Sequence, residues 1–114
     1  MKLKIAVFML CQFLLLSLAD ASSVHTFQVT IGASTTQITT IGNTLAREVS
    51  FQNNATHTMR VGDSNTSSTR GALLSSGSPG GSVTFGPVTS GTIDLSTFWV
   101  NGTQNDVLDV VYVD

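Results

Sequence analysis

From Val24 onward the chain alternates apolar and polar residues with a period of two, and that pattern constrains the fold more than any other feature. His25, Phe27, Val29 and Ile31 alternate with Thr26, Gln28 and Thr30, which is the signature of a half-buried strand. Thr35 to Ile41 carries Ile38 and Ile41 in a threonine-rich run whose β-branching favours strand. Arg47 to Asn53 sets Val49 and Phe51 on one face, and His57 to Gly62 does the same with Met59 and Val61. Ser82 to Gly86 points Val83 and Phe85 inward. In Ile93 to Val100, Ile93, Leu95 and Trp99 fall on one side, with Phe98 and Val100 on the other. Val107 to Val113 is almost continuously apolar, as a central strand covered on both faces would be. No window shows apolar residues at helical spacing with a cap.

Seven strands of five to eight residues are therefore expected, and turn signals separate them. Asn53-Asn54 joins two alternating runs, Gly62-Asp63-Ser64-Asn65 opens a polar loop, and Gly77 to Gly81 is the strongest breaker. Asn101-Gly102 reads as a hairpin dipeptide, because both residues tolerate positive φ. The predicted fold class is all-β: an antiparallel β-sandwich or a jelly-roll-like barrel spanning residues 22–114.

Residues 1–21 read differently. Lys2 and Lys4 precede an apolar stretch from Ile5 to Ala19, and Ala19-Asp20-Ala21 places small residues where a signal peptidase reads them. The stretch is shorter than the roughly 20 residues of a spanning helix. It predicts a secretory signal peptide cleaved before Ser22, the rival being an uncleaved anchor. The expected location is secreted or extracytoplasmic, with the membrane met only during export.

The 93 residues that follow hold three cations (Arg47, Arg60, Arg70), six anions, no lysine and no cysteine, and 29 are Ser or Thr. Three scattered arginines cannot track a phosphate backbone, so nucleic acid is not an expected partner. Without cysteine there is no disulfide framework and no zinc–thiolate site. No Gly-x-Ser-x-Gly elbow occurs, and the only imidazoles, His25 and His57, each fall in an alternating run. Glu48 and Asp94 have no spacing that argues for a glycosidase pair. Asp63-Ser64-Asn65-Thr66-Ser67 begins like a calcium loop, but Ser68 and Leu74 stand where its glycine and glutamate belong, which leaves an Asx-rich turn. No enzyme activity, cofactor or metal is expected. Three sequons, at Asn54, Asn65 and Asn101, matter only if the host glycosylates.

Several segments recur in a recognisable order. Phe51-Gln52-Asn53 is followed by Met59-Arg60-Val61-Gly62-Asp63, Ser68-Thr69-Arg70-Gly71, Leu73 or Leu74, Gly77 and Ser82-Val83-Thr84-Phe85. Ile93 to Gly102 and the closing Val107 to Val113 complete the series. This order, covering roughly Val49 to Val113, resembles the small all-β structural proteins of bacteriophage virions. There a Gln-Asn strand leads to a Val-Gly-Asp strand end, a Ser/Thr-rich loop and a closing Asp-Val-Val strand. The resemblance implies a non-enzymatic head, spike or tail component, often trimeric, contacting other virion or envelope proteins. The alternative is a cellular secreted β-sandwich that binds glycan or protein, as an adhesin subunit does.

Two surfaces are expected to carry such a role. The polar loop Asp63 to Ala72 would project from the scaffold, with Asp63, Asn65, Thr66 and Arg70 offered to a partner. The last strand, apolar on both faces, would meet a copy of itself through Leu108, Val110 or Tyr112, giving a homo-oligomer, most simply a trimer. Phe51, Val61, Phe85, Leu95, Trp99 and Val111 are expected to share one interior.

Overall fold

A computed structural model describes residues 22–114; the signal-peptide reading of residues 1–21 lies outside them. The described chain is all-β and antiparallel. It contains ten strands and one 3-10 turn: β1 Val24–Thr30, β2 Thr36–Gln37, β3 Leu45–Ala46, β4 Glu48–Asn53, β5 Met59–Gly62, β6 Ala72–Leu74, β7 Ser82–Phe85, β8 Ile93–Asp94, the turn Leu95–Thr97, β9 Trp99–Asn101 and β10 Val107–Val113. Sheet A runs β1-β10-β4-β7, sheet B runs β2-β9-β5-β6, and β3 pairs with β8. One core takes Val29, Val49, Phe51, Leu108 and Val110 from sheet A and Met59, Val61, Leu74 and Val100 from sheet B, consistent with a β-sandwich.

The strand count is ten rather than seven: β3 and β6 are additional, and the Ile93 to Val100 run divides into β8, in the two-stranded sheet with β3, and β9, in sheet B. The Thr35 to Ile41 run yields only the two-residue β2, because hydroxyls take over the backbone around it. Thr36 Oγ1 accepts from Gly32 N–H, and Thr39 Oγ1 accepts from Ile41 N–H. β5 begins at Met59, so His57 lies in the preceding loop rather than in a strand. Two short strands, β3 and β6, were not expected at all.

The segment Ile93 to Val100 shows why strict alternation fails. The Asp94 carboxylate accepts from Ser96 N–H and from the Ser96 hydroxyl, capping the one-turn helix Leu95–Thr97. That turn changes the phase. Leu95 points inward, but afterwards Phe98 packs on the core and Val100 is fully buried, so Trp99 faces outward. The expectation of Trp99 in the interior is corrected accordingly.

In β10 the burial alternates. Leu108 and Val110 are buried, Tyr112 packs on the core, and Val111 is 41% exposed. Val111 is therefore not a core residue. Leu108 and Val110 are not a free subunit contact, because the interior of the same chain already covers them, whereas Tyr112 is half-buried. The strand is central, between β1 and β4, but only one of its faces is covered.

Asn101-Gly102 does not make a hairpin. β9 belongs to sheet B and β10 to sheet A, so the segment between them crosses layers, and its positive φ falls at Asn105 (74°). A Cβ on Gly102 would lie 2.8 Å from the Ile31 Cδ1 methyl, which would have to shift to admit it.

Candidate functional site

The outward face of sheet B brings a cation, an amide, hydroxyls and apolar side chains together. Val61 pairs with Val100 facing the core, so their neighbours face out. Arg60 stands opposite Asn101 on one side and Leu73 on the other; Gly62 stands opposite Trp99, which in turn pairs with Gln37. Thr58, Arg60, Ser68, Leu73, Asn101 and Thr103 line a depression of about 360 Å³ there. Leu73 is 57% exposed and supplies its apolar wall.

The loop between β5 and β6 borders this depression and does not project freely. Thr66 is buried: its hydroxyl donates to Asp63 O at 2.6 Å, and its carbonyl accepts from the Thr35 hydroxyl. Two glycines make that possible. A Cβ on Gly62 would lie 2.7 Å from Thr66 Oγ1, and Gly71, at φ 112°, would press a Cβ against Val61 O and Thr66 Cγ2. Arg60 ties down the far side, donating from Nε to Ser68 O at 3.1 Å and from Nη1 to Gly71 O at 2.9 Å. Asp63 Oδ1 accepts from Asn65 N–H, the Asx turn that the sequence suggests.

Of the four loop residues expected to meet a partner, Asp63, Asn65 and Arg70 are exposed, whereas Thr66 is a buried anchor. Arg60, Leu73 and Asn101 belong to the surface but were missed. Their signal was present, since Arg60 alternates with Met59 and Val61. Asn101 donates from Nδ2 to the Thr35 hydroxyl at 3.0 Å.

A second, acidic depression of about 410 Å³ is lined by Gln28, Asn54, Thr56, Asn105, Asp106 and Asp109 among others. Asp109 accepts from Gln28 and from Asn54, and His57 Nδ1 lies 2.9 Å from Asp106 Oδ2. His25 stacks on Tyr112 at 4.8 Å and bonds Asp114 at 2.9 Å. Both imidazoles thus have a carboxylate partner. Among the described residues no group of three His, Cys, Asp or Glu side chains gathers as a metal site would require, and no helix is long and apolar enough to cross a membrane.

Two carboxyls are held below their ordinary pKa. Asp94 is lowered first by the Ser96 hydroxyl and then by the Ser96 amide. Asp114 is lowered first by the Ser23 amide and then by His25. No known protein family, curated protein or solved structure matches the chain.

The sequons differ in placement. Asn54 and Asn65 are exposed, whereas Asn101 is half-buried with its amide engaged by Thr35.

Proposed function

We propose that the protein is a non-enzymatic structural component of a phage-type virion: an exported, jelly-roll-like β-sandwich used in assembly or surface attachment. The observation that carries this reading is the loop Asp63 to Gly71, clamped onto a rigid sheet by Thr66, Arg60 and Thr35 while Asp63, Asn65 and Arg70 stay at the surface. Such a surface is ordered before a partner arrives, so little entropy is lost on docking. The order of strand and turn motifs along Val49 to Val113 supports the same reading. Mass spectrometry of particles purified from cells carrying the gene tests it. The chain should be recovered in stoichiometric amount, beginning at Ser22. Recovery only in the medium or envelope, with particles lacking it, overturns the proposal.

A second reading, a secreted module that binds a glycan or a protein, draws on the depression at Arg60, Leu73 and Asn101. One cation, one amide, several hydroxyls and an apolar wall match a sugar's hydroxyl edge and its apolar face. Binding to a glycan array that Asn101→Ala abolishes would favour it over the virion role.

A further inference from the structure

We propose that β1 pairs with β1 of a second copy across a two-fold axis, fusing two copies of sheet A into one continuous sheet. This deepens the structural-subunit reading, on which it rests for its setting, by naming the partner.

Strand parity decides which backbone groups of β1 face outward. Asp114 N–H donates to Ser23 O, and Ile31 N–H donates to Asp106 O. Odd-numbered residues of this segment therefore spend their backbone groups on β10, and the even-numbered residues turn theirs the other way. Among the described residues β1 is the edge of sheet A, so there the N–H and C=O groups of Val24, Thr26, Gln28 and Thr30 form an open row. Seven residues is long for an unprotected edge. Edges are normally blunted by charge, proline, a bulge or short length, and β1 has no Lys, Arg, Asp, Glu or Pro. The opposite edge, β7, is only four residues long and runs straight into Gly86-Pro87.

The row is also self-complementary. An antiparallel two-fold centred on Phe27 sets Thr26 opposite the partner's Gln28 and Val24 opposite the partner's Thr30, with the reciprocal pairs. Each of these four pairs exchanges two backbone hydrogen bonds, and no edge donor or acceptor is left over. A register centred on Thr26 would leave Thr30 unpaired. No like charges are brought together, since His25 meets the partner's Val29. On the core side of the same edge, Phe27, Ile41 and Tyr112, with Thr39 and Thr44, line a mostly apolar depression of about 310 Å³, and Ile41 is 72% exposed. Two-fold pairing brings the two depressions together along the seam. A second copy is thus the occupant whose hydrogen-bonding pattern, neutrality and apolar border all match.

Light scattering after size exclusion, on the protein as exported, is the test. Wild type should show twice the mass of one chain at tens of micromolar. Thr26→Pro removes one outward N–H without touching the β10 ladder, and it should halve that mass while leaving the melting temperature of the single domain in place. Thr26→Ala should remain dimeric. Phe27→Cys reads the register directly. The expected pairing brings the two Cα atoms to about 4.5 Å, within disulfide reach, and the exported chain has no other cysteine. A cross-linked dimer on a non-reducing gel is expected. A monomeric wild type, or a Thr26→Pro protein that stays dimeric, overturns the proposal. A dimer absent from particles would uphold the pairing and sink only the virion reading; a monomer found in particles would do the reverse.

Discussion

Replacing Asn53 by alanine should be among the most damaging single changes on the polar side of this fold. Asn53 is fully buried at the end of β4. Its Nδ2 donates to His57 O at 2.8 Å and to Leu74 O at 3.1 Å, and its Oδ1 accepts from Ala55 N–H at 2.8 Å. Its backbone N–H donates to Gly81 O, and its carbonyl accepts from Gly80 N–H. One side chain therefore joins the β4–β5 connection to the end of β6, while its backbone holds the glycine-rich segment before β7. Alanine removes three hydrogen bonds, each worth about 1 kcal/mol net, and strands the buried Leu74 carbonyl at a cost of roughly 1–3 kcal/mol. The total, about 4–6 kcal/mol, is a large share of the roughly 5–15 kcal/mol that holds a small domain together. In a domain of this size 1 kcal/mol moves the midpoint by about 4–8 °C, so a fall of roughly 15–50 °C is expected by circular dichroism. Asn53→Asp keeps the bond to Ala55 but turns an acceptor toward two carbonyl oxygens. At neutral pH it should destabilise at least as much as alanine, and protonation in acid should partly restore it. A drop below about 5 °C for alanine, or a near-native midpoint for aspartate, would refute the assignment of Nδ2 as the shared donor.

Three further outcomes follow from particular residues. Val110→Asp should prevent folding and Val111→Asp should not, because the first is 1% and the second 41% exposed; soluble yield and circular dichroism decide. Gly71→Ala should lower the melting temperature by the equivalent of about 1–3 kcal/mol, since φ 112° and contact with Val61 O leave no room for a Cβ; the same result at Gly42 would remove that explanation. Asp94 has a depressed pKa when folded, so its contribution is present above its unfolded value and lost as pH falls through the folded one. Asp94→Asn should therefore give a shallower acid-side decline in melting temperature below about pH 4, with the slope between about pH 5 and pH 8 unchanged.

Sheet A was largely legible in the sequence and sheet B was not, for a physical reason. Three of the four strands of sheet A are six or seven residues long, so alternation has room to declare itself; Val107 to Val113 has the same bounds in both readings. Strands of sheet B are two to four residues long and are bounded by Ser, Thr and Asn side chains that capture neighbouring backbone groups. The Asp94–Ser96 cap reversed the phase before Trp99, and no periodicity contains that information. At the candidate site, Asp63 and Arg70 were placed on the loop correctly, but the clamp was invisible because Thr35 lies 31 residues from Thr66 and Arg60 bonds backbone carbonyls of the loop, which no residue pattern marks. The glycines at 62 and 71 were the available signal, and what they permit is the close approach of Thr66.

The pairing of β1 with β10 also bears on the order in which the molecule can come together. Ser23 and His25 meet Asp114 across sequence separations of 91 and 89 residues, so sheet A is closed by some of the most non-local contacts the chain contains. A polypeptide emerging N-terminus first, from a ribosome or through an export channel, presents β1 long before its strand partner exists. β4 can pair with β7 earlier, but its link to β1 waits for β10, which lies between them. Closure of the sandwich is therefore a late, all-or-none event with a high contact order, and its rate is governed by that long loop rather than by local propensity. Until β10 arrives the chain stays without a finished core, which is the condition in which a protein can be threaded through a narrow pore.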